Sequence, residues 1–242
     1  QILHYMKPQK IKRVFYYLFH DGIRGVSKVL DDRMLMGSDL KLELVVKKQI
    51  TGNSIKDYPE IVFKGAENPL VSIIIPVYNQ FDYTYACLRS IFENTGDINY
   101  EIIIADDCSN DLTKNICEVV KGIHVEKTQG QSYFLRNCNH AAKAAKGKYI
   151  VFLNNDTQVQ ENWLKPLVDL MERDSKIGMA GSCLVYPDGR LQEAGGILWK
   201  DGSAWNFGNG HNPAMPEYRY VKDVDYISGA AIMIRHDLWN EL

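Results

Sequence analysis

Two polar strings in this chain stand directly behind apolar runs: Asn154-Asn155-Asp156 follows Tyr149–Leu153, and Asp106-Asp107 follows Ile102–Ala105. A carboxylate flanked by amides offers hard oxygen ligands to Mg2+ or Mn2+, ions that take few protein ligands when a substrate phosphate supplies the rest. Asp156 is therefore the candidate metal ligand, although Asp156 or Thr157 could equally end a strand and cap the turn after it. Asp106-Asp107 sets two like charges side by side, which costs energy unless one has a partner or faces solvent or ligand. An Asp there can accept hydrogen bonds from the imide or amino edge of a nucleobase. It can also merely steady a turn, because Ser109, Asn110 or Asp111 could cap a helix starting near Leu112. Arg136 and Asn137 fall in the first turns of another expected helix, where a guanidinium could reach a diphosphate in bidentate fashion or form a surface ion pair.

The elements that must hold these residues follow from apolar patterning. Leu70–Ile75 is a short β-branched run bounded by Pro76, the pattern of a strand buried on both faces. From there strands and helices alternate: helix 82–94, strand 101–105, helix 111–121, strand 123–126, helix 131–146, strand 149–153 and helix 161–173. Such alternation predicts a doubly wound α/β fold, a mostly parallel central sheet with helices on both faces. In open parallel sheets ligands bind outside the carboxyl ends of strands, which makes Pro76-Val77-Tyr78-Asn79 a third polar strand end converging on one edge. After Ile177 helices become scarce, Tyr186-Pro187-Asp188-Gly189-Arg190 reads as a turn, residues from about 200 to 220 as a polar loop and 223–234 as a last strand. That part is a smaller strand-and-loop region. Aromatic Trp199, Trp205, Phe207 and Tyr218 could stack on sugars or close a second small core, with core the better assignment for Trp199. Residues 1–65 form an N-terminal helical extension or linker and 66–242 the main domain.

The composition narrows the function classes. Of 242 residues, 28 are Lys or Arg and 30 Asp or Glu, giving a net charge of -2. No cationic field draws such a chain onto nucleic acid, which is excluded as a partner. The five cysteines (Cys87, Cys108, Cys117, Cys138, Cys183) form no CxxC pair and read as free thiols of a reducing, cytoplasmic compartment. No apolar run approaches the roughly 20 residues that cross a bilayer. Lys7, Lys10, Lys12 and Arg13 precede the aromatic run Val14–Phe19, a combination that could make peripheral contact with an anionic membrane or pack as an amphipathic helix. A first residue that is not Met, and an end just after a helix-like start, suggest a piece of a longer protein.

The strings VSIIIPVYN (Val71–Asn79), IIIADDCSND (Ile102–Asp111), Leu135-Arg136-Asn137 and KGKYIVFLNND (Lys146–Asp156), in this order and spacing, resemble the family-2 inverting glycosyltransferases of the GT-A fold. The resemblance covers residues 70 to 242. It implies transfer of a sugar from a nucleotide-sugar, by default a UDP-sugar, to a saccharide or lipid-linked saccharide acceptor in bacterial surface polysaccharide synthesis, with Mn2+ or Mg2+ as cofactor. By the same resemblance Pro76, Val77 and Tyr78, with Asn79 and Asp106 beside them, line the nucleoside pocket. Asp107 binds the base, Arg136 lies near the nucleotide and Asp156 holds the metal. Asn154, Asn155 and the small residues Ser228 and Gly229 face the donor sugar. One departure is plain: the family's DxD triplet is Asn154-Asn155-Asp156 here, with only the last acidic position kept. The family's catalytic base is the Asp of an ED pair expected beyond Leu242, and none of Asp188, Glu193, Asp223 or Asp225 matches it; His211 and His236 are not assigned as ligands. Two other classes compete, a non-catalytic carbohydrate-binding scaffold module and a nucleotidyltransferase. The latter lacks its Gly-rich phosphate loop after strand one, and a dehydrogenase lacks its GxGxxG there.

Overall fold

The computed structural model describes residues 42–241. The basic and aromatic segment 7–19, and with it the expected membrane contact, lies outside the described residues. The chain divides into two compact units.

The larger unit, residues 45–182, 195–204 and 224–241, is built on a six-stranded sheet. Its strands are β1 (Val71–Val77), β2 (Tyr100–Asp106), β3 (His124–Lys127), β4 (Tyr149–Leu153), β5 (Met179–Gly181) and β6 (Ala231–Arg235). Their spatial order is β3-β2-β1-β4-β6-β5. Strands β3, β2, β1 and β4 are mutually parallel, while β6 runs antiparallel to both β4 and β5. Every residue of β1 and β4 is buried, which accounts for their unbroken apolar sequences. Pro76 lies inside β1 rather than bounding it. It falls beyond Ile74, the last residue paired to β4, at a strand end where a missing N–H is tolerated.

Helix α1 (Phe81–Asn94) carries the chain from β1 outward to β2, and helix α2 (Tyr133–Ala142) carries it from β3 back across to β4. Crossovers of one hand in opposite directions place these helices on opposite faces, the doubly wound arrangement. On the α2 face a core forms from Ile74, Ile103, Ile150, Phe152 and Ile234 with Cys138, Ala141 and Ala142 of the helix. Leu238 and Trp239 of helix α4 (His236–Glu241) pack against it, the indole 4.8 Å from the Phe152 ring. At the sheet end remote from the strand carboxyl termini, the buried Ser72 hydroxyl donates to Glu101 (2.6 Å) and accepts from the Gly147 N–H (2.8 Å). Gly147 is required there, since a Cβ would lie 2.5 Å from the Ser72 nitrogen.

Three element boundaries differ from expectation for local reasons. The helix expected at 111–121 is a 3-10 turn (Leu112–Asn115) and one short helical turn (Ile116–Val119), because Val120–Lys121 pair in parallel with Ile61–Val62. The helix expected from 161 is α3 (Lys165–Arg173), whose Pro166 sits in its first turn, the one place in a helix where its lacking N–H costs nothing. The last strand begins at Ala231 instead of 223; before it, residues 224–230 make one bridge, Gly196 to Tyr226.

Of residues 1–65, expected as an N-terminal extension, those from Val45 onward belong to this unit. The Tyr58 ring packs edge-on to Phe81 and Tyr85 at 4.8 and 4.9 Å, and the Tyr85 hydroxyl donates to the Pro59 carbonyl. The Gln158 and Gln160 side chains accept from the backbone N–H groups of Lys47 and Val45, each at 2.9 Å.

The described part of the smaller unit, Cys183–Ala194 and Trp205–Asp223 apart from residues 42–44, contains a hairpin of Leu184–Val185 and Leu191–Glu193. Its turn is the expected Tyr186–Arg190, with Gly189 at φ +84°. Tyr218 and Leu191 are buried against Gly208, where a Cβ would stand 2.4 Å from Leu191. The Lys222 ammonium sits 3.5 Å over the Phe207 ring. Trp199, expected in a core, is half-exposed in the larger unit. All five cysteines are free thiols.

Candidate functional site

In the order β3-β2-β1-β4 the chain leaves β1 to one side and later returns to its other side, so the connections diverge between the carboxyl ends of β1 and β4. Divergence opens a crevice at that point in an open α/β sheet. Register brings the polar strings to this edge: Val77 pairs with Asp106, and Leu153 with Ala231. Because β6 is antiparallel, the residues before it arrive at the same edge as the residues after β1, β2 and β4.

Asp107 is the most heavily bonded group here. Its buried carboxylate accepts through Oδ1 from the Thr128 hydroxyl (3.0 Å), the Ser132 N–H (2.6 Å) and the Ser132 hydroxyl (2.8 Å). Oδ2 accepts from the Tyr133 N–H at 2.9 Å. Burial pushes its pKa up, but the hydrogen bonds from Ser132, Thr128 and Tyr133 outweigh burial and hold it below the ordinary aspartate value. Ser132 is the N-cap of α2, yet its side chain makes no capping bond of its own. Asp107, from another strand, does the capping.

Asp106 is equally buried and turns inward on its own loop, accepting from the Ser109 N–H at 2.9 Å, with the Lys127 ammonium 3.8 Å away. The Asn79 side chain accepts from the Asn110 N–H (2.7 Å), and its own N–H donates to the Ser109 hydroxyl (2.8 Å). Asn79 and Gln80 both have left-handed backbones, φ 56° and 59°, which turns the chain from β1 into α1. These bonds lock the β1 and β2 loops together below Tyr78, whose side chain is half-exposed at the rim.

Beyond β4 the Asn154 N–H donates to the Ala230 carbonyl at 2.9 Å, and the Asn154 carbonyl accepts from the Thr157 hydroxyl at 2.7 Å. The Asn155 amide donates to Thr84 of α1 at 3.0 Å. The Ser228 hydroxyl accepts from the Ala230 N–H, and a Cβ on Gly229 would stand 3.9 Å from Phe134 of α2. Asn154, Asn155, Ser228 and Gly229 are thus brought together. Beneath the turn is the Cys87 thiol, raised to about 12 by burial in spite of its bond to Thr157. Asp156 is exposed and has no side-chain partner among the described residues.

No cluster of three or more His, Cys, Asp or Glu capable of holding a metal occurs among the described residues. The chemistry of the donor set still fits a hard cation: a free carboxylate beside the amide oxygen of Asn155, with ligand phosphates and water completing the shell. Arg136 is also exposed and takes part in no ion pair among the described residues. Its neighbour Asn137 is buried and donates to the Ala105 carbonyl at 2.7 Å. Of the carboxylates weighed as bases, Asp188 is paired with Arg190 at 2.6 Å and Asp225 accepts from the Leu198 N–H at 2.9 Å.

Sequence reasoning missed Thr128 and Ser132 as partners of Asp107, Thr84 as the partner of Asn155, and Phe134 beside Gly229. Only Ser132 carried a signal, a hydroxyl residue just ahead of a helical run.

A glycosyl transferase family 2 model matches residues 72–241, well over half of the chain. The chain belongs to glycosyl transferase family 2. TuaG of Bacillus subtilis, named for a glycosyltransferase role in teichuronic acid biosynthesis, is 34% identical over 126 residues, 50% of this chain and 50% of TuaG. The O-antigen biosynthesis protein RfbC of Myxococcus xanthus is 26% identical over 72% of this chain and 14% of RfbC. The chain thus spans half or less of the length of these two relatives. The mannosyltransferase PcManGT of Pyrobaculum calidifontis, solved with GDP-Man and Mn2+, shares the fold at a TM-score of 0.50 and 17% identity, covering 76% of this chain and 50% of that one. No helix among the described residues is long and apolar enough to cross a membrane.

Proposed function

We propose that this chain is the donor-binding part of a metal-dependent, inverting glycosyltransferase that moves a sugar from a UDP-sugar to a saccharide or lipid-linked saccharide acceptor in surface polysaccharide synthesis. The observation that carries the reading is the placement at the edge where four strand ends meet of two exposed charges, Arg136 and Asp156, that have no ion-pair partner among the described residues. Opposite charges left free at a crevice suit a ligand that is itself an anion held partly through a cation. The nucleoside end falls to Pro76, Val77, Tyr78 and Asn79 with Asp106 and Asp107 beneath. The diphosphate lies between Arg136 and Asp156, and the sugar beside Asn154, Asn155, Ser228 and Gly229. A bound Mn2+ or Mg2+ would neutralise charge developing on the departing diphosphate. Arg136 adds a second fixed positive charge there. Attack by an acceptor hydroxyl from the side opposite the diphosphate gives inversion and needs a carboxylate to take its proton.

Calorimetric titration with UDP, GDP and dTDP and their sugars, with and without Mn2+, tests the reading. Metal-enhanced binding of one nucleotide class, lost in Asp156→Ala and Arg136→Ala, is the expected outcome. Failure to bind any of them in either condition would leave a scaffold module in its place.

A further inference from the structure

We infer that the segment Val45–Lys48 braces the loop that carries Asp156, with Gln158 and Gln160 as positioning residues for the metal site. The inference rests on the donor-site reading above. Its basis is that the residues around Asp156 are tied from two sides while the Asp156 carboxylate has no side-chain partner among the described residues.

On its inner side the loop lies along one face of α1. The Asn155 amide donates to the Thr84 hydroxyl (3.0 Å), and the Cys87 thiol to the Asn154 carbonyl (3.7 Å). The Val159 N–H donates to the Ser90 hydroxyl (3.0 Å), and the Asn94 amide to the Val159 carbonyl (3.1 Å). Thr84, Cys87, Ser90 and Asn94 recur every three or four residues, the spacing of a single helical face. Thr157 closes the turn, its N–H and hydroxyl both donating to the Asn154 carbonyl.

On its outer side two glutamines do what a neighbouring strand would do. Gln158 accepts from the Lys47 N–H (2.9 Å) and donates to the Lys47 carbonyl (3.1 Å). Gln160 accepts from the Val45 N–H (2.9 Å) and donates to the Val45 carbonyl (3.3 Å). A primary amide carries one acceptor and one donor side, so each glutamine takes both backbone groups of one residue. The residues held are two apart, as are the glutamines, which is the repeat of extended chain. Val45 and Val46 are themselves exposed, so backbone bonding rather than apolar burial makes the attachment. From α1 the Arg89 guanidinium donates to the Lys48 carbonyl at 3.2 Å, and Glu93 pairs with the Lys47 ammonium. One helix thus grips both the loop and its brace.

With Asn154 and Asn155 preceding it, Asp156 is the one carboxylate this turn can offer a cation. A single ligand serves only if it already stands where the phosphate oxygens need it, because ordering a loose loop on binding would be subtracted from the affinity. The brace orders the loop beforehand.

The test titrates the 242-residue chain with UDP and GDP, with and without Mn2+, and follows amide exchange at Thr157 and Val159. Lys47→Pro removes the N–H that Gln158 accepts and leaves residues 154–160 untouched. Gln158→Met with Gln160→Met removes both amides at similar side-chain length. Each variant should raise the Mn2+ concentration for half-maximal enhancement about ten-fold, leave nucleotide affinity without Mn2+ unchanged and speed exchange at both amides. In an Asp156→Ala background neither should alter nucleotide binding further, since nothing remains to be positioned. A tie that only stabilised the fold would lower the unfolding midpoint and leave the Mn2+ half-saturation where it was. That result overturns the proposal, and so does equal weakening with and without Mn2+. Should Lys47→Pro not fold, the glutamine pair decides alone. Absence of nucleotide binding by the parent chain overturns the donor-site reading instead; unchanged exchange at 157 and 159 in the variants would then overturn the brace, and faster exchange would uphold it.

Discussion

Gly229→Ala separates a fold effect from a ligand effect unusually well. The backbone at Gly229 is outside the left-handed region, so alanine meets no conformational penalty there. The added Cβ would find one neighbour, Phe134 Cζ at 3.9 Å, an ordinary van der Waals contact. Stability should therefore stay within about 0.5 kcal/mol of the parent, as for substitutions that touch nothing. If the donor sugar occupies the space in front of Gly229, the methyl meets the sugar instead. Overpacking by one methyl group costs about 1–3 kcal/mol, which is a loss of about 5- to 150-fold in affinity. The loss must fall on the sugar-bearing donor alone. Parallel calorimetry with UDP and with UDP-GlcNAc, UDP-Glc and UDP-Gal, alongside a thermal unfolding curve, reads all of this. UDP should bind as before and the matching UDP-sugar several-fold more weakly. Equal losses for UDP and UDP-sugar would falsify the assignment of this turn to the sugar, and so would no loss for either.

Asp156→Ala should leave the melting temperature unchanged, since an exposed unpaired carboxylate contributes little, while Mn2+ ceases to enhance nucleotide binding; an undiminished Mn2+ effect counts against Asp156 as the ligand. Gly147→Ala should destabilise the larger unit by about 2–4 kcal/mol, because its Cβ meets the β1 backbone; a denaturant titration checks it, and a midpoint equal to the parent's contradicts the packing described. Asp107 has a folded pKa below the ordinary value of 3.8, so it stabilises the fold above that pH and the contribution fades as pH falls through the folded value. Removing the carboxylate with Asp107→Asn should flatten the acid limb of stability against pH below about 3.8; an unchanged limb argues against the cap. Tyr133 has φ +60°; Tyr133→Gly should relieve about 1 kcal/mol of left-handed strain, visible as a raised melting temperature.

The fold was legible because its central strands are apolar on both faces. A run such as Tyr149–Leu153 can be little else than a buried strand once short turns bound it, and its limits match the observed β4. Helix limits were less legible, since tertiary partners decide them. Nothing local says that Val120–Lys121 will leave a helical run to pair with Ile61–Val62, 59 residues earlier in the chain for each pair. Pro166 marks a helix start rather than an interior position, since proline suits the first turn, where α3 holds it. At the site, residue types named the polar strand ends and topology put them together. The chemistry of Asp107 was only half legible. Its two readings, ligand acceptor or steadier of the turn before Leu112, were balanced in the sequence, and the partners it has come from residues 128–133, more than twenty positions away, where no local pattern points.

The direction of β6 decides which end of the sheet the last described residues cover. An antiparallel strand that begins at the crevice edge ends about 14 Å away from it, four rises of about 3.4 Å further on. A chain continuing straight from Arg235 would leave the reaction behind. It does not continue straight: α4 starts at His236, whose N–H donates to the Lys148 carbonyl at that far end, and three residues on the Trp239 indole lies 4.8 Å from the Phe152 ring. The final turn is thus a return leg.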